Sequence, residues 1–143
     1  MKGKKSGNIF MKLLFYFFMI TLATIDTTKW VFDTSSSFNI CNMLRGLRIS
    51  RWLNKEEVNL HVANGANVAA IAVGEISLVM PMGKTMLLES CYYVPKFVSN
   101  IISILSLDKY GFRTTFHNNQ CVIFHGDELY VHCYLQHGLY VFT

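Results

Sequence analysis

Asp33 is the residue of this chain best placed to do chemistry. The apolar run Trp30-Val31-Phe32 leads straight into it, and four small hydroxylated residues, Thr34, Ser35, Ser36 and Ser37, follow at once. A strand in front of a carboxylate fixes its backbone, and small residues behind it let the chain fold tightly back. Their N–H and O–H groups can then donate to the carboxylate oxygens and hold charge and orientation. The chemistry open to such a group is peptide hydrolysis by two carboxylates sharing one proton, one acting as base toward water while the other polarises the carbonyl. The same short pattern also makes an ordinary turn or helix N-cap. No other aspartate has this setting: Asp26 lies in a polar stretch, Asp108 in a predicted helical turn, and Asp127 in a Gly126-Asp127 turn. One copy therefore offers one such carboxylate, and a pair requires two copies meeting across a twofold axis.

The elements around Asp33 read as short strands and turns. Trp30 to Asp33 is a strand entering the acidic loop. Asn39 to Leu53 is less regular, and Cys41, Leu44, Leu47 and Arg48 allow one short helix there. Val58, Leu60 and Val62 alternate with polar residues, Asn64-Gly65 signals a hairpin, and Val68, Ala70 and Ala72 alternate after it. Pro81-Met82-Gly83 and Asn118-Asn119 mark two further hairpins, and Ile104 to Tyr110 is a helical turn closed by Gly111. Leu129 to Cys133 and Leu139 to Phe142 close the series. The expected fold is all-β: a small closed antiparallel β-barrel with one or two short helices, plus an N-terminal apolar helix.

With 143 residues, 52% of them hydrophobic, the chain has room for one domain with an appendage and material for a real core. The net charge of +4 rests largely on Lys2, Lys4, Lys5 and Lys12; without them the balance is near zero, so no nucleic-acid surface is indicated. Arg45, Arg48 and Arg51 recur at helical spacing and read as a solvated face. Residues 1–28 form a unit of their own: lysines precede the apolar run Leu13 to Ala23, which is too short for a comfortable transmembrane span of about 20 residues. Basic start, apolar middle and Thr21-Leu22-Ala23 fit a signal peptide, with cleavage near Thr24. Cys41, Cys91, Cys121 and Cys133 contain no C-x-x-C, and they read as buried free thiols, or as two disulfides in any of three pairings if the chain is secreted. His117, Cys121, His125, His132 and Cys133 match no standard zinc spacing, so no metal is assigned.

Read in order, Trp30 to Ser37, Phe38-Asn39-Ile40-Cys41-Asn42, Val58 to Gly65, Val73-Gly74-Glu75-Ile76 and Cys91 to Ser103 form a recognisable series. The series resembles the protease region of the Pol polyprotein of plant copia-type LTR retrotransposons. There a W-hh-D-[ST]-G-[AS]-S segment (h, apolar) precedes a V-x-[VA]-x-N-G hairpin and then Y-V-P-x-h-x-x-N-h-h-S. The likeness runs from about Lys29 to Thr143 and is most specific at Tyr92 to Ser103. Gly138-Leu139-Tyr140-Val141 looks like the start of the family's pre-integrase segment. Residues 1–28 read as a basic and apolar leader, signal-like or a spurious exon, which the family does not carry; the resemblance implies a retropepsin-like β-barrel at 29–112 and C-terminal β-hairpins at 113–143 leading into a truncated pre-integrase segment.

It also implies roles. Asp33 becomes the catalytic acid–base, and Thr34 braces two loops across a homodimer. Ser35 supports the loop, and Ser36 or Ser37 orients the outer carboxylate oxygen. Asn64 and Gly65 form a candidate flap over a polypeptide substrate, or simply a tight turn. Asn100, Ile101, Ile102 and Ser103 pass behind the loop and support it. No cofactor is implied. Ser35 stands where the family usually has glycine. A positive φ there would cost a residue with a Cβ about 1–2 kcal/mol, whereas a negative φ leaves the Ser35 N–H in service. The family is made in the cytosol, whereas residues 1–23 point to a secretory or membrane route. A β-barrel remnant without catalysis, a Pol-derived binding domain and a small secreted β protein remain as alternative readings.

Overall fold

The first strand of the domain is buried on every residue, and it runs through the middle of the sheet. A computed structural model describes residues 8–10 (backbone only), 28–61, 66–136 and 138–142. Its strands are β1 (Asn8–Phe10), β2 (Trp30–Asp33), β3 (Asn39–Cys41), β4 (Leu47–Trp52), β5 (Asn59–His61), β6 (Asn67–Ala69), β7 (Ala72–Val79), β8 (Thr85–Tyr93) and β9 (Asn100–Ser103). A six-residue helix α1 (Ile104–Lys109) follows, then β10 (Phe112–His117), β11 (Gln120–His125), β12 (Glu128–Gln136) and β13 (Leu139–Phe142). The large sheet has the order β10-β11-β12-β13-β2-β9-β3-β8-β7-β4, and β1-β5-β6 form a small second sheet.

The all-β class holds, but the expected closed antiparallel barrel does not. The large sheet is open, ending at β10 and β4, and it is mixed, with β2 parallel to β9 and β3 parallel to β8. Closure would need the first strand of the sheet to meet the last at a free edge. The end strands β10 and β4 do not pair with each other, and β2 lies inside the order between β13 and β9. The small sheet instead covers part of the core by side-chain packing: Val58, Leu60 and Ala70 cluster with Val31, Ile40, Val94, Phe97, Ile101 and Leu139.

The short helix expected within Asn39 to Leu53 is also absent: that stretch is β3, a turn and β4. Gly46 at φ +83° and the Leu47 N–H to Leu44 C=O bond of 2.9 Å turn the chain there. The spacing of Cys41, Leu44 and Leu47 imitates a helix only because a turn separates two strands. Arg48 and Arg51 sit on β4, where Arg48 pairs with Glu75 and Arg51 with Glu57. The N-terminal apolar helix falls outside the described residues, as do Asn64 and Gly65. Their flanking strands β5 and β6 pair antiparallel, Leu60 opposite Val68.

Local turn chemistry is where it was expected. Met80 N–H donates to Lys84 C=O at 2.7 Å to close the β7–β8 turn, and Asn118 and Asn119 take φ +49° and +60° between β10 and β11. The Ser103 hydroxyl caps α1 by accepting the Ser106 N–H at 3.0 Å, and Gly111 at φ +87° ends it.

The strands after 112 share the core of those before it. Cys121, Ile123, Val131, Cys133 and Phe142 belong to one buried cluster with Trp30, Phe32, Met86 and Ile102, and the Phe32 and Phe142 rings stack at 5.3 Å. All four cysteines are buried free thiols. Cys121 and Cys133 lie opposite each other across β11 and β12. The hydrogen bond with Cys133, and then burial, hold the Cys121 thiol above its ordinary value; Cys41 and burial do the same to Cys91. Among the described residues no helix is long and apolar enough to cross a membrane.

Candidate functional site

Asp33 closes β2 at 3% exposure, flanked in register by Ser103 of β9. Its Oδ1 accepts two hydrogen bonds from Ser35, one from the backbone N–H at 2.8 Å and one from the hydroxyl at 2.7 Å. Its Oδ2 is buried and has no hydrogen-bond partner. A buried polar oxygen without a donor is costly and calls for an explanation.

The conformation of Ser35 decides between the two alternatives its side chain raised. The non-glycine residues at positive φ are, among the described residues, Glu56, Ser90, Asn118 and Asn119; Ser35 is not one of them. The loop therefore does not need glycine there, and serine adds a second donor to the carboxylate. Replacing it tests this directly. Ser35→Gly keeps the N–H bond and loses the hydroxyl bond to a charged acceptor, worth about 1.5–3 kcal/mol. The expected result is a lower denaturation midpoint in urea; a midpoint that rises would show that the hydroxyl contributes nothing.

Ser36 and Ser37 do not bond the carboxylate in this arrangement. Ser36 is buried and its hydroxyl donates to Phe38 C=O at 2.7 Å, while Thr34 and Ser37 are exposed. The Ser36 carbonyl accepts the Ser103 hydroxyl at 2.7 Å, which ties the acidic loop to β9. Asn100, Ile101, Ile102 and Ser103 are all buried. Asn100 Oδ1 accepts the Asn42 N–H at 2.8 Å, and its Nδ2 donates to Lys29 C=O at 3.3 Å. The segment thus binds both the entry to β2 and the exit from its loop.

Sequence reasoning gave no role to Asn39, although its position supports the loop. At 2% exposure its Oδ1 accepts the Ser103 N–H at 2.8 Å, and its Nδ2 donates to Glu89 C=O and Ser106 Oγ, each at 3.3 Å. The available signal was an asparagine beginning an otherwise apolar strand, a placement that demands buried partners.

Above Asp33 opens a cleft of about 430 Å³ lined by Phe32, Asp33, Thr34, Ser35, Phe116, Gly138 and Tyr140. Its far wall comes from β10 and β13, and the Phe116 and Tyr140 rings meet there at 5.1 Å. The large sheet curls enough for its end strand β10 to approach the strand carrying the carboxylate. Nothing in the sequence pattern marked these two aromatics as part of the site.

Fold and site together define an all-β domain that presents a single carboxylate, half-satisfied, at the floor of an open cleft. The Pol polyprotein beta-barrel domain is the family whose model matches residues 30–112, more than half of the chain, and the chain belongs to that family. No curated protein and no solved structure matches it. The matched region begins at Trp30, three residues before Asp33, and stops where β10 starts, so the far wall of the cleft lies almost wholly beyond it.

Proposed function

We propose that the chain is a fragment of a copia-type retrotransposon Pol polyprotein whose β domain is one half of a homodimeric aspartic endopeptidase, with Asp33 as the acid–base group. The observation that carries this reading is Asp33 itself, a residue lining an open cleft whose Oδ2 is buried without a donor in one copy. A second copy across a twofold axis would bring the missing partner: two carboxylates sharing one proton. Thr34, exposed beside the aspartate, is free of the core and suited to brace the two loops.

In the dimer the ionised Asp33 removes a proton from a water held between the two carboxylates. The resulting hydroxide oxygen bonds to the peptide carbonyl carbon, whose oxygen takes the proton of the other Asp33. Collapse of the diol breaks the C–N bond: the proton first taken from water passes to the leaving nitrogen, and a diol hydroxyl returns its proton to the second Asp33 to leave the carboxylic acid. Asn64 and Gly65 are the candidate flap over the bound polypeptide. No metal or cofactor is required. Synthesis in the cytosol as part of a polyprotein accords with the family; residues 1–23 would direct a secretory or membrane alternative.

The competing reading, a Pol-derived β domain without catalysis, is favoured by the 3% exposure of Asp33, which in one copy nearly shuts the carboxylate from water. Concentration separates the two. Because each copy supplies half a site, cleavage of an unstructured peptide mixture near pH ~5 should rise with the square of chain concentration at the dilute end. Absence of cleavage at any concentration, or a rate strictly proportional to concentration, ends the dimeric-protease reading.

A further inference from the structure

The cleft has two unlike halves. Its floor is polar, formed by Asp33, Thr34 and Ser35, and its far wall carries Phe116, exposed at 42%, and half-buried Tyr140. The two rings line the same cleft as Asp33, so a peptide lying over Asp33 brings a side chain against them. We infer that Phe116 and Tyr140 form a subsite for an aromatic or large aliphatic side chain of a peptide lying over Asp33. Selectivity then comes from the strands after residue 112 rather than from the matched family region. This rests on the site being a peptide site, and it adds which residues choose the peptide.

Three features support it. The cleft volume of about 430 Å³ falls within the range of about 300–1,000 Å³ typical of small-ligand sites. The two rings already lie against each other at 5.1 Å and 47°, so a third ring or branched side chain can pack on them with little reordering. The wall is also held in place: β13 pairs with β2, with Tyr140 opposite Phe32, next to the acidic residue.

The test uses the full chain and two dye-labelled pentapeptides, identical except for a central Phe or Ala, with binding read by fluorescence anisotropy. The Phe peptide should bind about tenfold more tightly, the discrimination an apolar pocket provides for a side chain of this size. Phe116→Ala should erase the difference, and Phe116→Trp should keep it. Phe116 stands exposed on an end strand, so the melting temperature of both variants should stay near that of the parent, which separates a lost subsite from a lost fold. Equal binding of the two peptides, binding of neither, or a preference that survives Phe116→Ala overturns the subsite. Discrimination without any cleavage would remove the protease reading and leave the subsite; cleavage without Phe116-dependent preference would do the reverse.

Discussion

Asp33→Asn is expected to abolish peptide cleavage and, at the same time, to raise the stability of the folded chain. The loss follows from its role: asparagine can neither take a proton from water nor give one to the carbonyl oxygen. Removing such a group costs a factor of about 10²–10⁴ in rate. The gain follows from the local geometry. Asparagine keeps an Oδ1 acceptor for the Ser35 N–H and hydroxyl, now at 2.8 and 2.7 Å from the aspartate. It also removes a charge whose second oxygen is buried without a donor. Relief of the buried charge is partly offset, because Nδ2 stands unpartnered where Oδ2 was and the Ser35 bonds lose their charged acceptor, so a net gain of about 1 kcal/mol and a rise of a few degrees in melting temperature are expected. An aspartate serving only as a turn cap would behave in the opposite way, losing stability on replacement. Unchanged turnover together with a lower melting temperature would therefore assign Asp33 to the turn and remove it from catalysis.

Asn39→Ala is expected to have the largest effect on stability among single changes near the site. The side chain is 2% exposed and serves three partners on three elements: Ser103 in β9, Glu89 in β8 and Ser106 in α1. Alanine leaves the Ser103 N–H, in a fully buried residue, without its acceptor. An orphaned buried donor costs about 1–3 kcal/mol, and the space vacated adds to it, so a loss of about 3 kcal/mol in urea unfolding is expected. Ser103 is also the residue whose hydroxyl holds the Ser36 carbonyl, so the acidic loop should loosen with it. Faster amide exchange at Ser35 and Ser36 would report that loosening. A loss below about 1 kcal/mol would mean that the loop is held by its own turn and not by the network beneath it.

Both expectations depend on features of different origin. The carboxylate and its hydroxylated neighbours could be read from adjacent residues. The placement of Ser35 on Oδ1 could not, since any of Ser35, Ser36 and Ser37 can reach back to Asp33 on flexible-loop arguments alone. The Ser36 hydroxyl donates instead to the Phe38 C=O, while the Ser36 carbonyl is held by the hydroxyl of Ser103, a residue 67 positions away. Asn39 was visible only as an oddity in an apolar strand, because its three partners come from β8, β9 and α1. The aromatic wall was hidden for the same reason: Phe116 and Tyr140 read as ordinary strand residues until the curl of the sheet set them over Asp33.

What the amino-acid order determined by itself was local. The Pro81-Met82-Gly83 and Asn118-Asn119 turns, the helix between Ser103 and Gly111, and the strand leading to Asp33 each depend on interactions within a few residues, where backbone sterics and capping decide the outcome. Tertiary structure alone decided which strands are neighbours, in which direction they run and whether the sheet closes. A side-chain period of two specifies the face that is buried, not the partner alongside. Pairing of β2 with parallel β9 and antiparallel β13 makes the sheet mixed, its ends β10 and β4 leave it open, and the burial of β2 leaves one oxygen of Asp33 without a donor.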